Sequence, residues 1–176
     1  MSGRYPDVAL LDIVTFPDSF LKNKTDQVTN IDATTQALVD DMSETMYQAP
    51  GVGLAAIQVG INQSLLVFDV APQDENRQLQ VLINPTIVTQ EGEILSEGEG
   101  CLSVPEYRAD VMRARRILVE AVDRDGNPLR FEAEGFPAVV IQHEIDHLNG
   151  TLFIDHISSL KRQMYVRRIK KRLKNQ

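Results

Sequence analysis

The stretch Phe136–Leu148 limits what this chain can fold into more than any other segment. Its apolar positions, Val139, Val140 and Ile141 among them, run almost all the way round a helical wheel, so a helix here has to be buried. The same stretch holds Gln142-His143-Glu144-Ile145-Asp146-His147. In a helix, His143 and His147 stand one turn apart on one face. Two imidazoles so placed can grip one divalent metal, with Glu144 within reach of a water bound there. The chain has three histidines and spends two of them here. The spacing also suits a solvated helix face, or core histidines bonded to neighbouring carbonyls. A catalytic metal needs a third protein donor and an open position. His156 and Asp155 lie downstream at no recognised spacing, so the donor has to be sought elsewhere.

Cys101, in Glu99-Gly100-Cys101-Leu102-Ser103-Val104-Pro105, is the chain's only cysteine. A lone cysteine is often a small buried apolar residue. As a ligand it would complete a Cys-His-His set with an open fourth position. As a nucleophile it would need the same histidines for a second job. A third segment, Gly51-Val52-Gly53-Leu54-Ala55-Ala56-Ile57-Gln58, follows a predicted helix and lacks Lys-Ser/Thr, which argues against a phosphate-binding loop. Its small residues suit backbone packed closely against something. The Gln58 amide can donate to a carbonyl oxygen becoming an oxyanion, or tie two backbone segments together.

Along the chain, residues 31–48 read as an amphipathic helix capped by Asn30 or Asp32. Ser64–Ala71 and Leu79–Asn84 read as strands separated by a polar turn at Pro72–Arg77, and Thr86–Val88 as the start of another. Glu91–Gly100 is Gly/Glu-rich and reads as loop or edge. Ile117–Asp123 and Leu129–Glu134 flank Asp125-Gly126-Asn127-Pro128, a hairpin signal. The buried helix ends at Asn149-Gly150, and Ile157–Leu173 forms a last helix. Strands come in a run rather than alternating with helices. The expected class is therefore α+β, with mostly antiparallel sheets packed around the central helix and with an N-terminal and a C-terminal helix beside them. Its 176 residues are expected to form a single domain, 1–176.

With 43% hydrophobic and 24% charged residues, the composition is that of a soluble globular protein, and no apolar run is long enough to span a bilayer. Met1–Asp7 lacks both the apolar core of a signal peptide and the character of a transit peptide, and one cysteine suits a reducing compartment. A cytoplasmic monomer is expected. The charge is unevenly spread. Residues 157–176 carry eight basic residues (Lys161, Arg162, Arg167, Arg168, Lys170, Lys171, Arg172, Lys174) and no acid, while residues 1–156 carry a formal −15. Such a tail meets something negative, or lies against its own acidic body.

The three segments together resemble peptide deformylase. The family is marked by Gly-x-Gly-x-Ala-Ala-x-Gln, here Gly51–Gln58, by Glu-Gly-Cys-Leu-Ser, here Glu99–Ser103, and by His-Glu-x-x-His, here His143–His147. All three match unbroken and in order. The resemblance implies hydrolysis of the formyl group from formyl-methionyl nascent polypeptides, with release of formate. It implies a metal on Cys101, His143 and His147, Fe(II) in the cell, with Zn, Ni or Co able to take its place. Glu144 would move protons, and the Gln58 side chain and Leu102 N–H would stabilise the oxyanion. Glu99 and Asp146 would orient the ligands. Val52, Gly53, Phe136, Val139 and Val140 would line the substrate pocket, and Arg108 would meet the peptide backbone. Glu97 stands where some relatives carry an aliphatic residue. Relatives dock on the ribosome through a C-terminal helix, for which this basic tail has the charge. Two other readings compete: a metallopeptidase cutting internal peptide bonds, and an RNA- or ribosome-binding protein with a degenerate metal site.

Overall fold

The computed structural model describes residues 8–73 and 77–175. Met1–Asp7, read above as lacking a leader, lie outside the described residues, as do residues 74–76 of the expected turn at Pro72–Arg77. The elements run α1 (Ala33–Gln48), β1 (Gly53–Ala55), β2 (Leu65–Phe68), β3 (Gln80–Glu91), β4 (Ile94–Cys101), β5 (Val104–Arg113), β6 (Arg116–Val122), β7 (Pro128–Glu134), α2 (Phe136–Leu148) and α3 (Ser159–Lys174). The fold is α+β. Strands β1-β2-β3-β6-β7 form one sheet and β4-β5 a second, and every pairing between these strands is antiparallel.

β2 shows how the core is divided. All four of its residues are buried, because the sheet is covered on both faces and side chains alternate along a strand. Leu65 and Val67 pack with Val39, Met42 and Met46 of α1. Leu66 and Phe68 pack with Val140, Ile141, Ile145 and Leu148 of α2. Each such side chain, removed from water, contributes on the order of 1.5–3 kcal/mol. α2 is thus held between the large sheet and the rest of the molecule, and ten of its thirteen residues are buried. A third cluster joins Val104 and Val111 of β5 to Leu152, Phe153 and Ile154 and to Tyr165 and Ile169 of α3.

Helix ends follow local chemistry. The Asp32 carboxylate accepts from Thr34 and Thr35 N–H, so α1 begins at Ala33, two residues later than the periodicity suggests. α2 starts after Gly135 and stops at Asn149, as the sequence indicates. Gly150 follows with φ +75°, and a Cβ there would lie 2.3 Å from the Lys22 carbonyl oxygen, so only glycine fits.

The strands differ from the sequence expectation in three respects. Leu79–Asn84 and Thr86–Val88 belong to one strand, β3, which passes through Asn84 (φ 52°) with a register shift between Ile83 and Thr86. Most of Glu91–Gly100, read as loop or edge, is β4, an edge strand of the two-stranded sheet. Its glycines and glutamates have low strand propensity, and the pairing is made by β5, a strand the sequence reading did not anticipate. The inward residues of β5 change phase: Val104 is buried, then Tyr107, Ala109, Val111 and Arg113 face inward. Glu106, at φ 55°, marks the change. That break hides the period of two.

Candidate functional site

α2 presents His143 and His147 with ring centroids 5.0 Å apart, the first 8% and the second 1% exposed. Cys101 closes β4 and brings its Sγ to 3.2 Å from His147 Nε2. One ligand atom from each of Cys101, His143 and His147 lies within 4.8 Å of the others, close enough to hold one metal ion. His156 is elsewhere, its Nε2 2.7 Å from Asp146.

The carboxylates divide by surroundings. Glu99 takes His143 Nδ1 at 2.6 Å and the Arg113 guanidinium at 2.5 and 3.3 Å, which leaves His143 Nε2 for the cluster. Burial pushes Glu99 upward, but hydrogen bonds from His143 and Arg113, with the charge of the latter, outweigh it and bring its pKa from 4.5 down to about 2. Glu144 has no such partner. Its Oε2 is buried without a hydrogen bond among the described residues, and burial raises its pKa to about 7 although His143 pulls the other way. Burial and the charge of His143 hold His147 well below the usual histidine range.

Two polar residues that the sequence reading gave no role complete the frame. Arg113, 5% exposed, bridges Glu99 and Asp146, the latter at 2.6 Å, and so joins the small sheet to α2. Asp146 therefore reaches the ligands only through Arg113. Ser103, fully buried, meets Gln58 Nε2 at 3.1 Å. Gln58 accepts the Ala55 N–H at 2.9 Å and turns its amino group to Ser103 Oγ and, at 3.6 Å, to Cys101 Sγ. Gln58 thus ties the Ala55 backbone to the Ser103 side chain and carries its amino group beside the cluster. Arg113 left a trace in the sequence, as a charge at an inward position of an alternating stretch.

The cluster lies at the wall of a cavity of about 870 Å³. Val52, Gly53, Leu102, Arg108, Phe136, Val139 and Val140 all line it, as do Gln58, Glu97, Glu99 and Tyr107. Val139 and Val140 are buried, while Phe136, 53% exposed, stands at the rim with the exposed Glu97. β1 and β4, which both contribute residues to this wall, each keep one edge free of a neighbouring strand among the described residues.

The model of the family described as polypeptide deformylase matches residues 10–163. The chain belongs to the polypeptide deformylase family. It is similar to the peptide deformylase of Desulfosudis oleivorans, at 54% identity over 95% of this chain and 96% of the relative. The peptide deformylase of Syntrophobacter fumaroxidans is 52% identical over 95% and 98%. Among solved structures, the Legionella pneumophila peptide deformylase superposes with a TM-score of 0.87, at 43% identity over 96% of this chain and 99% of that one. The Ehrlichia chaffeensis peptide deformylase in complex with actinonin gives 0.87 at 40% identity, over 93% and 98%. The chain is accordingly an enzyme, a deformylase that removes the N-terminal formyl group from N-formyl peptides.

Proposed function

We propose that this deformylase acts on the formyl-methionyl end of nascent polypeptides as a single catalytic domain spanning residues 1–176. In this reading Cys101, His143 and His147 hold one divalent metal and Glu144 carries the proton. The observation that carries it is Glu144 Oε2, buried without a partner beside a Cys-His-His donor set at a cavity wall. A thiolate and two imidazoles suit Fe(II) or Zn, and also Ni or Co, and three protein donors leave room for water. Fe(II) is the expected metal in the cell.

When bound, the metal supplies a Lewis acid that brings water toward ionisation near neutral pH and polarises the formyl oxygen. Glu144 takes the proton of that water as the new C–O bond forms. It gives the proton to the departing nitrogen as the C–N bond breaks, so the products are formate and a free amine. In the metal-free site burial holds the Glu144 pKa above the usual carboxylate range, which favours uptake of a proton. The Gln58 amino group and the Leu102 backbone N–H donate to the oxyanion. Ser103 holds the Gln58 amide in its orientation. Glu99 fixes His143, with Arg113 and Asp146 behind it. Val52, Phe136, Val139, Val140 and the His143 ring take the unbranched methionine side chain, Glu97 sits at its rim, and Arg108 meets the peptide backbone. An extended peptide can add to the edges of β1 and β4 that carry no neighbouring strand among the described residues.

Gly53 supplies a test of the Glu144 assignment. A Cβ there would lie 2.5 Å from Glu144 Oε1 and 2.8 Å from its Cδ. Gly53→Ala is expected to displace the carboxylate and lower kcat roughly 100-fold. Metal content, measured by elemental analysis, should stay at the wild-type level. Formate release from formyl-Met peptides, with unformylated peptides left uncut, separates this reading from a metallopeptidase.

The second partner is the ribosome. α3 buries Tyr165 and Ile169 and leaves seven of its eight cations exposed. Arg162 pairs with Asp155 and Arg172 with Glu106, so the body uses part of the charge and leaves the rest. Neutral substitution of the exposed Arg167, Lys170, Lys171 and Lys174, which leaves Tyr165 and Ile169 in the core, is expected to weaken salt-sensitive cosedimentation with ribosomes and to spare turnover of short peptides. No helix among the described residues is long and apolar enough to cross a membrane. We place this function in the cytoplasm, on a monomer.

A further inference from the structure

We infer that the substrate peptide continues past the formyl-methionine cavity into a second groove, between β5 and α3, that favours acidic side chains. The inference rests on the deformylase reading above. The groove, about 460 Å³, is lined by Tyr107–Asp110 of β5 and by Lys161, Met164, Tyr165 and Arg168 of α3. Tyr107 and Arg108 also line the formyl-methionine cavity, so the two adjoin at these side chains. A chain that leaves the first past Arg108 meets the second.

Charge identifies what the groove favours. It carries Arg108, Lys161 and Arg168 against Asp110. None of the three cations is paired with a carboxylate among the described residues, whereas Arg162 and Arg172 on the same helix are paired. Asp110 is already engaged, accepting the Gly98 N–H at 2.8 Å. The two arginines are held in place by backbone carbonyls: Arg108 donates to Gly98 O at 3.1 Å and Arg168 to Glu106 O at 2.9 Å. Arg168 also lies 5.8 and 5.5 Å from the ring centres of Tyr107 and Tyr165. Those rings pack at 4.7 Å, and Met164 stands 63% exposed at the lip. A net positive groove with an aromatic floor, on a body of formal charge −15 through residue 156, fits an acidic peptide.

The test compares formyl-Met peptides that share their first three residues and carry Ala, Glu or Lys at each of positions four to eight. A Glu at the favoured position should raise kcat/KM about two- to five-fold over Ala, and added salt should reduce the gain. Lys at that position should lower it. Lys161→Glu should remove or reverse the preference, Lys161→Arg should restore it, and neither should alter kcat/KM on the formyl tripeptide. Arg168→Gln provides an independent second variant. Equal rates for all three series, or a preference that survives Lys161→Glu, would overturn the inference while the tripeptide is still deformylated. Charge-blind peptide kinetics combined with ribosome binding that needs Lys161 and Arg168 would also overturn it and assign the groove to nucleic acid. Failure to release formate from the tripeptide would reject the deformylase reading, and the groove with it.

Discussion

Glu144→Gln is expected to keep its metal and to lose turnover by about 10²–10⁴-fold. Glutamine fills the same volume and can still hydrogen-bond water, but it cannot take a proton and hand it on. The side chain is 4% exposed and makes no contact with Cys101, His143 or His147 that would hold the ion, so metal stoichiometry should match the wild type. Stability should not fall. Removing a carboxylate whose pKa burial has raised to about 7 relieves a desolvation cost. The kcat loss should therefore come with an unchanged or raised unfolding midpoint. A fully active variant would remove Glu144 from the chemistry and leave the donor set without its proton carrier.

Arg113→Met should cost about 3–5 kcal/mol, because it leaves Glu99 and Asp146 without the cation buried between them. The cost should fall toward the low end, since Glu99 keeps His143 and Asp146 keeps His156. Urea unfolding of the metal-free protein measures it. A merely structural role would end there. As a group that positions Glu99 and through it His143, Arg113 should also set metal affinity, and the variant is expected to bind metal about 10–100-fold more weakly. Arg113→Lys keeps the charge without the two-pronged geometry and should lie between the two. The pH dependence follows from Glu99. Its folded pKa, about 2, is below its ordinary 4.5, so its contribution is present above pH 4.5 and is lost as pH falls toward 2. The metal-free variant should lose less stability than the wild type across that window.

These two residues also show what the sequence could and could not reveal. Glu144 was legible because α2 is a local structure: its period, its glycine start and its Asn149-Gly150 stop place His143, Glu144 and His147 on one turn whatever the rest of the chain does. Cys101 and Gln58 were legible as motif segments. Their meeting was legible only through the family resemblance, because it depends on β4 and β5 pairing, and that hairpin is written in glycine, glutamate and a strand whose phase changes at Glu106. Arg113 went unseen for the same reason. A charged residue reads as solvent-facing until its strand is known, and only the assembled sheet shows two carboxylates waiting for it. Ser103 sat within a quoted motif, but its contact with Gln58 spans 45 residues of sequence.

The central claim is that one metal on Cys101, His143 and His147 makes this chain a deformylase. The most direct test is elemental analysis of anaerobically prepared wild type and Cys101→Ala, with formate release from a formyl-Met tripeptide measured on the same samples. About one divalent metal per wild-type chain with turnover, and loss of both in the variant, is the expected result. Undiminished turnover in a Cys101→Ala chain, or in wild type stripped of metal, would contradict it.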